Sequence, residues 1–191
     1  MRVGKLRQSW SALLVAGLVV GCGYNTIQTY DEQVNAAASQ IKVQLQRRAD
    51  LIPNLVEAVK GYAKQEQTIF TAVADARARL AGAVQSGDLQ QMAQANAQLT
   101  APLGRLLAIA ENYPQLKSNE NFRALQDQLE GTENRIAVAR QDYNEAVNRY
   151  NAYIRRFPQV LTAKVLGKGP RPYYELETPG AAQAPKVDFS K

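Results

Sequence analysis

The 191-residue chain contains no histidine and only one cysteine. Histidine is the usual general base and the commonest neutral metal ligand in proteins. Its absence excludes a Ser-His-Asp triad and a Cys-His dyad, and a single thiol without nitrogen ligands does not make a zinc site. Carboxylate, lysine or tyrosine chemistry remains open. We therefore expect a protein that is not an enzyme and that holds no metal or other cofactor.

The excess of basic residues is small once the N-terminal segment is set aside. The whole chain has a net charge of +6, but Arg2, Lys5 and Arg7 belong to a predicted targeting segment. Without these three residues, 20 basic side chains face 17 acidic ones, a net charge of +3. Such a charge is ordinary for a soluble domain, so we expect no nucleic-acid partner.

Residues 1–21 have the pattern of a bacterial lipoprotein signal peptide. Their basic start is followed by an apolar stretch at 10–20, only half of the ~20 residues that a transmembrane helix needs. Small and aliphatic residues at 19–21 then precede Cys22, as in a lipobox, where the signal is cut before a cysteine that carries a diacylglycerol. We expect Cys22 to be the lipid attachment site, because several acyl chains give a stable anchor. The alternative is a short, uncleaved membrane segment.

The rest of the chain is rich in Ala, Gln, Asn, Leu and Arg, with apolar residues at alternating spacings of three and four. This period predicts helices that pack side by side with knobs in holes. Glycine and proline divide the pattern into helical segments at about 24–84, 88–113 and 119–157, with Asp88 and Asn119 as predicted N-caps. We predict an all-α fold, an elongated antiparallel bundle of three to four long helices.

We place this bundle at 22–166 and a Pro/Gly-rich flexible tail, extended or disordered, at 167–191. Within that tail, the aromatic stretch at 172–175 is a candidate for local docking.

The length of the first helical segment leaves two arrangements open. At 1.5 Å per residue it would be roughly 90 Å long, whereas the second would reach only about 39 Å. Either the chain folds back near Asp50, with Pro53 in the tolerant first turn of a new helix, or one helix continues through Pro53. In the continuous case one apolar stripe would lack an intramolecular partner, and we would expect self-association to cover it. The stripe consists of Ile27, Val34, Ile41 and Leu45.

Two charged residues, Arg48 and Glu66, interrupt the apolar seam of the first segment. A buried charge is costly unless it is paired, so we expect each to pair within the bundle, with partners such as Glu111 or Arg140, and to fix register. The alternative is a ligand or partner site.

A Tyr-Asn pair occurs twice, as Tyr143-Asn144 and Tyr150-Asn151, seven residues apart. The tyrosines fall on the predicted seam with the asparagines beside it. This repeat predicts packing with inter-helix hydrogen bonds, or else a contact surface for another helix.

Three acidic residues, Asp127, Glu130 and Glu133, can share one helix face. Without histidine we expect a solvated acidic face, not a carboxylate-bridged metal site. The basic stretch at 155–171 has two interpretations, attraction to anionic lipid headgroups or a solvated flexible end.

Eight short motifs follow one another along the chain. They are RRADLIPNLV at 47–56, VKGY at 59–62, AR at 76–77, AENYP at 110–114, ARQDYN at 139–144, YN at 150–151, FP at 157–158 and PYYE at 172–175. Together they resemble the LemA family of bacteria over about 24–177. Family members commonly keep an uncleaved transmembrane helix just before the Tyr-Asn that here is Tyr24-Asn25, whereas this chain has a short apolar stretch and Cys22.

The resemblance implies a membrane-tethered helical bundle on the outward side, without a defined activity. Some members resemble magnetosome-membrane proteins, and others are encoded near membrane metalloproteases, which implies scaffold or adaptor work. We accordingly expect a non-enzymatic, self-associating scaffold or interaction protein of the bacterial cell envelope, on the periplasmic or extracytoplasmic side. The alternative is an accessory factor for a membrane protease, or a ligand-binding module.

Overall fold

Six helices follow one another across residues 23–174, the part of the chain that the computed structural model describes. The long ones are α1 (Tyr24–Lys60), α2 (Gln67–Ser86), α3 (Leu89–Glu111) and α5 (Glu120–Ile154). The short ones are α4 (Pro114–Lys117) and α6 (Gln159–Val165). The predicted all-α bundle is confirmed. Cys22 and the predicted signal segment lie outside the described residues, and within 23–174 no helix is long and apolar enough to cross a membrane.

The two longest helices, α1 and α5, contain 37 and 35 residues and form the framework of the bundle. They pack antiparallel: the rings of Tyr30 and Tyr153 meet edge to face at 5.2 Å, and further along Arg48 pairs with Glu133. Helices α2 and α3 form a hairpin that lies against the C-terminal half of α1. One half of the rod therefore has four long helices, and the other has two long helices with the short α6 packed against them.

The first predicted segment is divided at a place that neither arrangement foresaw. Helix α1 continues past Asp50 and through Pro53 to Lys60, and the chain turns back only at 61–66. Continuation of the helix through Pro53, one of the two predicted arrangements, is confirmed, whereas the break near Asp50 and a single helix that reaches residue 84 are both wrong. The predicted caps are confirmed, since the Asp88 carboxylate accepts from the Gln90 and Gln91 amides at 2.8 and 3.1 Å and the Asn119 side chain accepts from the Phe122 amide.

The apolar stripe on α1 has its partner inside the same chain. Because α5 is nearly as long as α1, it covers the whole stripe, and each of its four residues is exposed by 2% or less. The expected uncovered seam is therefore wrong, and it no longer gives a reason for self-association. The stripe residues are Ile27, Val34, Ile41 and Leu45.

The chain after α6 returns along the two-helix half of the rod. Gly167 ends α6 with a positive φ of 65°, a conformation that glycine adopts without steric cost. Residues 168–174, hereafter the docked segment, then run extended against α1 and α5. The expected docking of the aromatic stretch is seen up to Tyr174, and residues 175–191 lie outside the described part.

Candidate functional site

The two Tyr-Asn pairs of α5 hold the docked segment by its main chain. The Asn151 amide donates to the Arg171 carbonyl at 2.9 Å and accepts from the Arg171 N–H at 2.8 Å. The Asn144 amide likewise donates to the Tyr174 carbonyl at 3.2 Å and accepts from the Tyr174 N–H at 2.8 Å. Each asparagine thus makes, with one residue of the docked segment, the pair of main-chain hydrogen bonds that a neighbouring β-strand would make. We call these four α5 side chains, Tyr143, Asn144, Tyr150 and Asn151, the clamp.

The seven-residue repeat of the clamp matches the geometry of an extended chain. Seven residues of α-helix rise about 10.5 Å. The two residues held by the asparagines, Arg171 and Tyr174, are three apart, which spans about 10 Å in an extended segment. The spacing of the repeat therefore fits the spacing of main-chain groups in an extended polypeptide. The predicted inter-helix hydrogen bonds do not form at these side chains.

The tyrosines of the clamp act as hydrogen-bond donors. The Tyr143 hydroxyl donates to the Pro172 carbonyl at 3.0 Å, and the Tyr150 hydroxyl donates to the Gly169 carbonyl at 3.2 Å. Burial raises the pKa of both hydroxyls, with the Asp31 charge adding to the rise for Tyr150. A raised pKa keeps these protons in place, so both hydroxyls remain donors at neutral pH.

An ion-pair network fastens the docked segment to α1. Lys168 Nζ lies 2.6 Å from one carboxylate oxygen of Asp31, and the Arg171 guanidinium donates to the other at 2.7 and 3.1 Å. Burial opposes the ionisation of Asp31, but these hydrogen bonds and positive charges outweigh it and lower the pKa of Asp31. The hydrogen bond to Asp31 in turn raises the pKa of Arg171.

A cleft opens beside the clamp, where the α2–α3 turn faces the docked segment. Its volume is about 590 Å³, and the first turns of α3 form one wall while Tyr143 and the end of the docked segment form the other. Gln90 and Gln94 are exposed at its rim, and Tyr173 is 45% exposed. The cleft is thus lined by aromatic and small apolar side chains, by the amides of Gln90 and Gln94, and by one residue of each charge, Asp88 and Arg171.

A second polar centre lies in the four-helix half, around Arg48. This side chain is buried, donates to the Asn96 amide oxygen at 2.9 Å and forms an ion pair with Glu133. Burial lowers the pKa of Arg48 against the opposing charge of Glu133. The contact joins α1, α3 and α5, so the expected pairing of Arg48 within the bundle is seen, whereas the predicted partners Glu111 and Arg140 are wrong.

Glu66 does not lie on a helix seam. It is half-buried at the N-cap of α2, its side chain makes no capping hydrogen bond, and within 23–174 it forms no ion pair. The predicted acidic face also changes: Glu133 pairs with Arg48, whereas Asp127 and Glu130 are exposed. Within the described residues no group of three or more His, Cys, Asp or Glu side chains could hold a metal ion.

The proline inside α1 is matched by Arg77, which belongs to the AR motif at 76–77 but whose role the sequence did not reveal. Pro53 has no N–H to donate to the Ala49 carbonyl, four residues earlier in the helix. Arg77 of α2 donates its Nε to that carbonyl at 3.0 Å. A buried helical acceptor is thereby satisfied from the neighbouring helix, and α1 continues without a break.

Sequence reasoning missed the residues that face the clamp from the other side. Asp31 lies between Ile27 and Val34 of the predicted stripe and was given no role. Arg171 was predicted only as part of the basic stretch at 155–171 and of the flexible tail. The available signal was the spacing of the Tyr-Asn repeat together with a polar residue, Asp31, at a position that becomes buried.

Comparison with known proteins gives a family and several relatives. A model described as the LemA family matches residues 37–189. The magnetosome proteins MamQ 2 and MamQ 1 of Paramagnetospirillum magneticum are each 30% identical over 180 residues, which cover 82% of this chain and 66% of theirs. Magnetosome protein MamQ of Magnetospirillum gryphiswaldense is 29% identical over 167 residues, 75% of this chain and 61% of its own. The chain thus spans just under two thirds of the length of these relatives.

Proposed function

Because the chain belongs to the LemA family, we propose that it is a membrane-anchored, non-enzymatic interaction protein of the bacterial cell envelope. One observation carries this proposal: helix α5 holds an extended polypeptide segment by its main chain and leaves an open cleft at the end of that segment. Side chains aimed at main-chain amides recognise a polypeptide in general, as strand addition does. The clamp side chains bind main-chain groups, and we therefore assign the site to binding rather than to catalysis.

Membrane anchoring is supported by two findings of different kinds. The LemA resemblance implies a tethered bundle, and the relatives are magnetosome proteins. Cys22 directly follows an apolar signal-like stretch. Because Gly23 lies beside Gln159 of α6, a tether at Cys22 would join the bundle at its two-helix end.

The Cys22→Ala substitution tests the anchor in cells fed a labelled fatty acid. Wild type should carry the label and run at the size of a cleaved chain. The variant should lose the label and keep its precursor size, because the thiol that would be acylated is missing. Equal processing and equal membrane retention of the two proteins would refute the lipid anchor.

The cleft is the surface that we propose contacts a partner protein. Its rim offers amide groups and a half-exposed tyrosine, a composition that suits polar, adaptable contacts at a protein interface. Purification of the anchored protein with its neighbours separates two roles: capture of further copies supports a scaffold, and capture of a membrane protease supports an accessory factor. The volume of about 590 Å³ also fits a small ligand, the second candidate function.

A further inference from the structure

The two-helix end of the bundle exposes large apolar side chains. Phe157 is 79% exposed, Val165 is 75% exposed and Leu161 is 48% exposed. All three lie in the short stretch between the end of α5 and the end of α6. Soluble proteins rarely leave such side chains together on the surface without a binding role.

Helix α6 is amphipathic, and its apolar outer face carries a lysine. Thr162 and Ala163 are buried against the bundle. At 3.6 residues per turn, Leu161, Lys164 and Val165 fall together on the opposite face, and all three are exposed. The outer face thus combines two aliphatic side chains with one ammonium group.

The surroundings of this face are basic. Arg155 and Arg156 are exposed beside Phe157, and within 23–174 neither they nor Lys164 forms an ion pair. No acidic residue occurs in the sequence between Glu145 and Glu175. From α1, the nearby carboxylate of Asp31 is already engaged by Lys168 and Arg171.

The start of α1 lies against the start of α6. A Cβ added to Gly23 would lie 3.1 Å from the Gln159 Cγ and 3.3 Å from the Tyr153 hydroxyl. Whatever precedes Gly23 therefore joins the bundle directly beside the apolar and basic surface.

We propose that this surface docks on a lipid bilayer that contains anionic headgroups. The surface consists of Phe157, Leu161, Lys164 and Val165, with Arg155 and Arg156 beside them. Its apolar side chains enter the boundary between headgroups and acyl chains, and its basic side chains meet the phosphates, as in interfacial amphipathic helices. This inference rests on the proposed membrane attachment. It adds a second contact with the membrane, which restricts rotation of the bundle about its tether.

The test places a tryptophan on the surface of the processed protein, extracted from membranes and reconstituted in vesicles of phosphatidylethanolamine and phosphatidylglycerol brominated in the upper acyl chain. Phe157→Trp reports from the proposed contact. Val138→Trp is the matched control, because Val138 is 58% exposed on α5 in the four-helix half. Both variants also carry Trp10→Phe, so that any unprocessed precursor adds no second tryptophan signal. Flotation of the vesicles measures attachment separately.

We expect both variants to float with the vesicles and only the tryptophan at 157 to be quenched by bromine. Changing Arg155 and Arg156 to Gln should weaken this docking about fivefold for each charge removed. Flotation without quenching at 157, or equal quenching at 157 and 138, overturns the docking and leaves the attachment standing. Failure to float overturns both proposals. Quenching lost because a second copy covers the surface, seen as dimers by crosslinking, also overturns the lipid contact.

Discussion

The contact between Arg77 and the Ala49 carbonyl makes a specific energetic prediction. Arg77→Ala removes the donor and leaves a buried helical acceptor without a partner, because Pro53 cannot supply an N–H. A hydrogen bond from a charged group is worth about 1.5–3 kcal/mol. Since Arg77 is half-exposed, we expect the lower end, about 1.5 kcal/mol, or a fall in Tm of about 3–6 °C in a domain of this size.

A double-mutant cycle identifies the cause of that loss. In the Pro53→Ala background the new N–H can donate to Ala49 within the helix, so Arg77→Ala should cost about 1 kcal/mol less than in wild type. Denaturant unfolding followed by circular dichroism measures all four proteins. Arg79→Ala, an exposed arginine on the same helix, should stay within about 0.5 kcal/mol of wild type. Equal losses from Arg77→Ala in both backgrounds would refute the reasoning.

Three further predictions concern the clamp and the core. Asn151→Ala removes two hydrogen bonds of about 0.5–1.5 kcal/mol each and should speed hydrogen exchange of the Arg171 amide about 5- to 150-fold. Docking of the segment should be complete above the ordinary Asp31 pKa of 3.8 and be lost as the pH falls through the lowered folded-state value, which an acid titration of that amide's exchange measures. Ile41→Asp should unfold the chain, because Ile41 is 0% exposed against α5, and a far-ultraviolet dichroism melt will show it.

Matched variants separate these effects from general damage. Asn148→Ala changes an exposed asparagine on the same helix and should leave the Arg171 exchange unchanged. Asp31→Asn should remove the acid dependence. Val43→Asp introduces the same charge at a position that is 56% exposed and should leave the melt near wild type. If either control behaves like its partner variant, the corresponding contact does not have the role given to it here.

The buried helix faces could be predicted because the spacing of apolar residues indicates which positions are buried. The turn at 61–66 could not, since the apolar period runs through it without a change of phase. Gly61 alone is a weak signal, and the fold-back depends on the packing of α2 and α3 against α1. The length of α1 follows from the same packing, because Arg77 satisfies the carbonyl that Pro53 leaves free.

The clamp could be located in the sequence but not interpreted. The Tyr-Asn repeat stood out, yet its partners are main-chain atoms of residues 169–174, which any sequence would supply. Only the match between helix rise and extended-chain rise shows what the spacing serves. For Arg48 the need of a partner was predictable, but the partner Glu133 comes from another helix whose register depends on the whole bundle.

The central claim, that the cleft beside the clamp is a contact surface for another protein, is tested most directly by site-specific photo-crosslinking in living cells. A photoreactive residue in place of Gln94, exposed on the cleft wall, should give discrete protein adducts. The same residue in place of Gln128, exposed on α5, should give none. Adducts with further copies of the chain indicate a scaffold, and adducts with a membrane protease indicate an accessory factor. Absence of adducts at 94, or the same adducts at both positions, would contradict the account.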